Sequence, residues 1–304
     1  MNVVIRIDED TKKEMIDYYK DKIKEVDNKP PYVVFIAKEE DTTITMYESG
    51  KVMFQGKSAD VDASHWGIQI QESKEKKNKK NDKDSVYYNS SSIGSDEVGT
   101  GDYFGPIVVT STYVSKDDIK FLEELGVDDS KKLTDDKILA IAPKIIKKIK
   151  YSSQILRNDE YNEKYNKDLN LNKIKSIMHN KVLLDMTSKV DKYDYIIVDQ
   201  FAYEESYYNY LKDQDKVQRD ITFITKAESK NLAVAAASII SRYIFLKEMD
   251  KLSDEVHVPL PKGAGPEVDK IGEELVDKYG EEILDKIAKK NFKNTLKILH
   301  ALII

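Results

Sequence analysis

The stretch "GSDEVGTGDYFGPIVV", residues 94–109, decides how the rest of the chain is read. Asp96 and Glu97 are adjacent, glycines stand at 94, 99, 101 and 105, and a β-prone run from Pro106 to Val109 follows. Two negative charges at the margin of a sheet are costly unless they face water, are paired or hold a cation. Neighbours on a regular strand point to opposite faces. Both acids therefore reach one site only if the strand ends or bulges there, and Gly99 and Gly101 tolerate the backbone angles that this needs. A charged turn in water is the alternative.

Two further stretches carry acids in telling places. In "KYDYIIVDQF", residues 192–201, the run Tyr195–Val198 reads as a strand buried on both faces and ends on Asp199. The carboxyl end of such a strand is where open α/β sheets place ligands. A helix N-cap for the "DQFAYEESYY" that follows is the alternative. In "TKAESKNLAVAAASIISRYIFL", residues 225–246, nearly every position from Leu232 onward is apolar or small, which predicts a helix buried all round. Glu228 stands just before it, where Ser229 can cap. A carboxylate there is either a partner for the helix dipole or a metal ligand.

Taken together, Asp96, Glu97, Asp199 and Glu228 suit hard divalent cations, Mg²⁺ or Mn²⁺, better than zinc. His65, His179, His257 and His300 are scattered, without a metal-binding spacing, and read as surface or core residues. There is no cysteine, hence no thiolate ligand, thiolate nucleophile or disulfide. Four acids around two cations describe a phosphodiester hydrolase, and the cations would let adjacent carboxylates stay ionised. Nucleotide-cofactor motifs fail: Thr100 stands where a P-loop needs Lys, and Phe104 breaks a G-x-G-x-x-G. No G-x-S-x-G elbow occurs. "DDSKKL", residues 128–133, offers Ser130, Lys131 and Lys132, and "LPKGAGP", residues 260–266, offers Lys262. Lys230 joins them as a local cation. Each is either an exposed lysine or a phosphate contact.

The 304 residues, 40 % of them hydrophobic, suffice for one large domain or two ordinary ones. No apolar run reaches the ~18 residues of a membrane span, and the N-terminus lacks a signal pattern, so a cytoplasmic protein without membrane contact is expected. The net charge of −6 argues against a protein held on nucleic acid by charge alone, although a local basic path fits inside an acidic whole. Residues 72–84, "ESKEKKNKKNDKD", lack any apolar side chain and read as a Lys-rich linker. Residues 1–71 show a β-α-β-β-β-α order, with the last two strands joined by "SG", and predict a small antiparallel sheet with helices on one face and the other face free for a partner. Residues 85–304 read as α/β. Strands are expected near 92–98, 105–114, 152–156 and 194–199, and helices at 117–125, 134–149, 172–190, 204–212, 229–249 and 267–290. Pro143 would kink the second helix or reset its start.

The motifs "GSDEVGTGDYFGPIVV", "DDSKKL", "IIVDQF", "KAESKNLAVAAASIISR" and "LPKGAGPEVD" closely resemble bacterial ribonuclease HIII, in the family's order, across residues 94–269. The resemblance implies an RNase H-like catalytic domain with a mixed central sheet and flanking helices, preceded by a small α+β domain like the TATA-binding protein that grips an RNA–DNA hybrid. It implies endonucleolytic hydrolysis of the RNA strand, leaving a 3′-hydroxyl and a 5′-phosphate, with divalent cations; a monomer without a nucleotide cofactor is expected. Asp96, Glu97, Asp199 and Glu228 match the family's four acids, and Gly99, Thr100 and Gly101 match the loop whose backbone reads ribose 2′-hydroxyls. Ribonuclease HII carries Asp at the fourth acid and Arg in the loop's middle, so Glu228 and Thr100 point to the HIII branch. An HII-like enzyme incising at single ribonucleotides and a non-catalytic hybrid-binding protein are the rivals.

Overall fold

A computed structural model describes residues 2–7, 9–24, 30–39, 42–56, 59–64, 66, 85–127, 132–166 and 169–301. The linker 72–84, Lys57, Ser130 and Lys131 lie outside the described residues. The chain divides into two compact units, Met1–Lys77 and Asn78–Ile304.

The first unit runs β1 (Asn2–Arg6), α1 (Glu9–Tyr19), β2 (Val33–Glu39), β3 (Thr42–Tyr47), β4 (Lys51–Gly56), α2 (Ala59–Ser64). Its antiparallel sheet has the order β1-β4-β3-β2. Strand alternation sorts the side chains. Val3, Ile5, Phe35, Ala37, Ile44, Met46, Val52 and Phe54 are buried with Met15 and Tyr19 of α1 and Ala59 and Ala63 of α2. The opposite face carries a cross-strand row, Val4, Met53, Thr45 and Ile36, set by the register of the three strand pairs. Arg6 pairs with Lys51 beside it. The β-α-β-β-β-α order and the one-sided helices thus match the expectation from the sequence.

The second unit begins with β5 (Ser92–Val98), β6 (Ile107–Val114), α3 (Ile119–Glu124), α4 (Asp135–Lys148), β7 (Lys150–Leu156), α5 (Asn158–Lys164) and α6 (Leu171–Thr187). It continues with β8 (Tyr195–Asp199), α7 (Glu204–Tyr210), β9 (Ile221–Ile224), α8 (Leu232–Val256), α9 (Pro266–Tyr279), α10 (Ile283–Ile287) and α11 (Lys293–Ala301). The mixed sheet has the order β7-β6-β5-β8-β9: β5 pairs antiparallel with β6 and parallel with β8, and β8 parallel with β9.

Helix α8 covers one face of β5 and β6, and α6 covers the other. All ten positions from Leu232 to Ser241 are buried. Small residues make this close approach possible. A Cβ on Gly94 would collide with the backbone of Ala233 and Val234. Thr112 donates its hydroxyl to Ala233 O at 2.7 Å on the α8 face, and Ser111, its neighbour, donates to Val182 O at 3.0 Å on the α6 face. Polar strand residues thus bond to the covering helices without an unsatisfied group.

Some boundaries differ from the expectation. Pro143 lies inside α4, whose start is fixed instead by Thr134, the side chain of which accepts from Lys137 N–H. The helix expected at 267–290 stops at Gly280, whose φ of +84° breaks the helical path, and α10 follows separately. The long helix is capped not by Ser229 but by Asn231, whose side chain accepts from Ala233 and Val234 N–H. Strand β9, only four residues long, and helices α5 and α11 were not anticipated. Gly94→Val should cost about 3 kcal/mol, the upper range of overpacking costs, because backbone rather than a side-chain tip stands in the way. Urea unfolding of the full chain would show an unchanged midpoint for the second unit if this packing were slack.

Candidate active site

The sheet brings the four acids to one edge. Asp96 and Glu97 lie near the carboxyl end of β5, one step beyond the last residue pair that β5 shares with β8, Ser95 with Val198. Asp199 ends β8 and pairs with Ile224, which ends β9. Glu228 follows four residues later in a short 3-10 turn, Ala227–Ser229. The adjacent parallel strands β5 and β8 therefore carry carboxylates at their carboxyl ends, and the turn after β9 carries the fourth.

No bulge places Asp96 beside Glu97. Asp96 pairs with Thr110 and Glu97 with Val109 in unbroken register, and of the two expected possibilities, an end or a bulge, it is the strand's end, at Val98, that follows the acids. Asp96 faces the α8 side. Its Oδ1 accepts from Glu97 N–H at 2.8 Å, and its carbonyl accepts from the Ser241 hydroxyl at 3.2 Å. The Ser238 hydroxyl bonds to Asp96 and lies 3.2 Å from Glu228 Oε2, joining the two acids. Asp199 Oδ1 accepts from Ala227 N–H at 2.8 Å. It therefore ties β8 to the turn carrying Glu228 and does not cap α7, whose N-cap position is Tyr203.

Glu97 faces the other way, toward α6. Its Oε1 lies 2.5 Å from Lys175 Nζ and its Oε2 2.8 Å from His179 Nε2. The Ser95 hydroxyl contacts His179 Nδ1. The Phe201 ring stacks on His179 at 5.0 Å and lies 4.2 Å from Lys175 Nζ. None of these four partners stood out in the sequence. The i,i+4 spacing of Lys175 and His179, which puts both on one helix face, was the available signal.

The two adjacent acids consequently titrate in opposite directions. Burial, then the charges of Glu97, Asp199 and Glu228, hold Asp96 well above the usual carboxylate range. Burial would raise Glu97 too, but Lys175 and His179 outweigh it and hold its carboxyl at about 2. Among the described residues no three acids or histidines are yet drawn around one point. The donors are nonetheless carboxylate oxygens, with the charges of Glu97, Asp199 and Glu228 all acting on the buried Asp96. A hard divalent cation fits that donor set.

The GTG loop sits against this edge. Gly99 has φ +94°, and a Cβ there would meet Pro106 O. Gly101 has neither a positive φ nor any atom within 4 Å of the place its Cβ would take. Among the described residues nothing requires glycine at 101. Asp102 anchors the loop. Its side chain accepts from Gly263 N–H at 2.6 Å, and its carbonyl accepts from the buried Lys289 ammonium, also at 2.6 Å. Lys289 donates as well to Gly105 O at 2.5 Å. Burial pulls Lys289 down to about 7, against the opposing charge of Asp102.

The expected cations divide. Lys132 is exposed. Lys230 donates to Thr225 O at 2.9 Å. Lys262 pairs with Asp135, which also accepts from Arg242 Nη2 at 2.6 Å. Arg242 further donates to Leu133 O at 3.0 Å, so the segment after Lys131 is fastened to α8 and to the 260–266 loop.

A family model described as ribonuclease HII matches residues 93–295, and one described as a domain of unknown function matches residues 2–80. Ribonuclease HIII of Bacillus subtilis is 46 % identical over 276 residues, covering 88 % of each chain. That of Bacillus cereus is 44 % identical over 279 residues, covering 88 % of this chain and 89 % of the other. The crystal structure of Bst-RNase HIII in complex with Mn²⁺ matches with a TM-score of 0.70 at 39 % identity, covering 99 % of both chains. The chain belongs to the ribonuclease HIII family.

The opposite pKa shifts carry a sign. Asp96, raised on folding, binds its proton more tightly in the folded state, so its ionisation costs stability as pH rises from the unfolded value toward the folded one. Glu97, lowered, contributes stability that is complete above its unfolded value near 4.5 and is lost as pH falls toward 2. Asp96→Asn should therefore stabilise the metal-free protein at neutral pH, by on the order of 1 kcal/mol. Thermal unfolding in chelator checks this; a lower Tm for the variant would contradict it.

Proposed function

We propose that Asp96, Glu97, Asp199 and Glu228 hold divalent cations, Mg²⁺ or Mn²⁺, and that the chain hydrolyses the RNA strand of RNA–DNA hybrids, leaving a 3′-hydroxyl and a 5′-phosphate. The observation that carries this is geometric: β5 and β8 bring Asp96, Glu97 and Asp199 to one sheet edge, the turn after β9 adds Glu228, and Ser238 bonds to both Asp96 and Glu228. These carboxylates would hold two divalent cations, which would supply water activation and neutralisation of charge on the leaving oxygen. The residues' own work is positional. Ser238 and Ser241 fix Asp96, the Ala227 amide fixes Asp199, and Lys175 with His179 fixes Glu97.

Selectivity for RNA would come from the Gly99-Thr100-Gly101 backbone. Its open approach at Gly101 lets a ribose lie against main-chain groups, and the 2′-hydroxyl is what separates RNA from DNA. Ser130, Lys131, Lys132, Lys230 and Lys262 would position phosphates around it. Residues 1–71 would grip the hybrid with the free face of their sheet, where Arg6, Tyr47 and Lys51 lie, and residues 72–84 would link the two domains. No helix among the described residues is long and apolar enough to cross a membrane. A cytoplasmic monomer is the form we propose.

Two labelled duplexes test this, a full RNA–DNA hybrid and a DNA duplex with one embedded ribonucleotide, each in Mg²⁺ and in Mn²⁺. The hybrid should be cut at several positions, and Asp199→Asn should lower that rate by at least ~100-fold. Preferred incision at the single ribonucleotide would overturn the substrate assignment, and hybrid binding without cleavage would overturn the enzymatic one. In the same assay Lys51→Glu should raise KM for the hybrid several-fold while leaving kcat near the parent's. A fall in kcat alone would count against the role given to the N-terminal sheet.

A further inference from the structure

Glu97 already has a cation on it. Lys175 Nζ stands 2.5 Å from Oε1 and His179 Nε2 2.8 Å from Oε2, so both carboxylate oxygens are engaged. The arrangement is built rather than incidental. The Lys175 side chain is only 7 % exposed and the His179 side chain is fully buried. One ring, Phe201, packs against the ammonium at 4.2 Å and stacks on the imidazole at 5.0 Å. Phe201 comes two residues after Asp199, so the strand end that presents one proposed ligand also braces the partner of another. A buried ion pair is expensive, and apolar residues of similar volume often serve stability as well. Its presence beside a proposed ligand calls for another reason.

Charge balance suggests one. With the four acids ionised, Lys175 in place and the His179 imidazole neutral, two divalent cations leave one positive charge in excess. A scissile phosphodiester removes that excess. Without Lys175, the four acids and two cations would already balance in the absence of nucleic acid. Resting on the two-cation reading above, we propose that Lys175 is a positioning residue and resident counter-ion. It aims Glu97 while the site is incomplete and competes with a divalent cation for Oε1. The Glu97 half of the site then fills effectively only when the substrate's phosphate is present, which couples completion of the catalytic centre to hybrid binding.

The test is calorimetric titration of Mn²⁺ into the full-length, chelator-treated protein without nucleic acid. The parent chain should show one stronger site and one much weaker site. Lys175→Met removes the competing charge at similar volume and should tighten the weak site at least ~10-fold, a gain that a merely structural lysine would not produce. An unchanged or weaker second site in this variant overturns the proposal. Should Lys175→Met fail to fold, the neutral pair Lys175→Met with Glu97→Gln replaces it. That double variant should retain the strong site and lose the weak one, and two retained sites would again overturn the proposal. Asp199→Asn separates the two levels of the argument. If it binds Mn²⁺ like the parent, the carboxylate reading itself has failed. If it loses Mn²⁺ while Lys175→Met matches the parent, only the role of Lys175 has failed.

Discussion

Like charges at close quarters are the constraint around which the second unit is organised. Asp96 is buried and lies within the electrostatic reach of Glu97, Asp199 and Glu228. A fold does not gain stability from such a cluster; it tolerates the cost where the charge has a use. The sheet makes the cluster unavoidable. Once β5, β8 and β9 run parallel, their carboxyl ends share one edge, and whatever those ends carry is brought together.

The rest of the unit holds that edge still. Helix α8 can lie close to β5 because Gly94 leaves room for its backbone, and Ser238 and Ser241 then reach the Asp96 carboxylate and carbonyl. On the other face α6 supplies Lys175 and His179 to Glu97. The two helices thus treat adjacent acids in opposite ways, one leaving its acid raised and the other holding its acid low. The Gly99–Gly101 loop is fixed independently. Asp102 binds the 260–266 loop through its side chain and Lys289 through its carbonyl, so Gly99–Gly101 is presented by a backbone clamped from two sides.

Much of this was legible in the sequence, and the omissions have physical causes. Continuous apolar runs gave away β8 and α8, and the acids at their ends followed. A polar stretch with nothing to bury was the basis for expecting two domains. Three-dimensional neighbours were less visible. Lys175 and His179 sit about 80 residues from Glu97 in the chain, and α6 is buried on enough sides that its polar face does not stand out. Lys289 looks like one more lysine in a Lys-rich chain, and only its fully buried position distinguishes it. The acids were expected to reach one site through an end or a bulge of the strand; β5 runs in regular register to its end at Val98, with Glu97 turned toward Lys175 on the α6 side. Strand β9 escaped because four residues are too few to display a period.

The central claim is that the four carboxylates form a cation site at the strand ends. Anomalous diffraction at the manganese edge, from crystals of the full chain grown with Mn²⁺, addresses it most directly. The account predicts a peak bounded by Asp96 together with Asp199 or Glu228. Manganese bound elsewhere on the chain, with no peak beside Asp96, would contradict it.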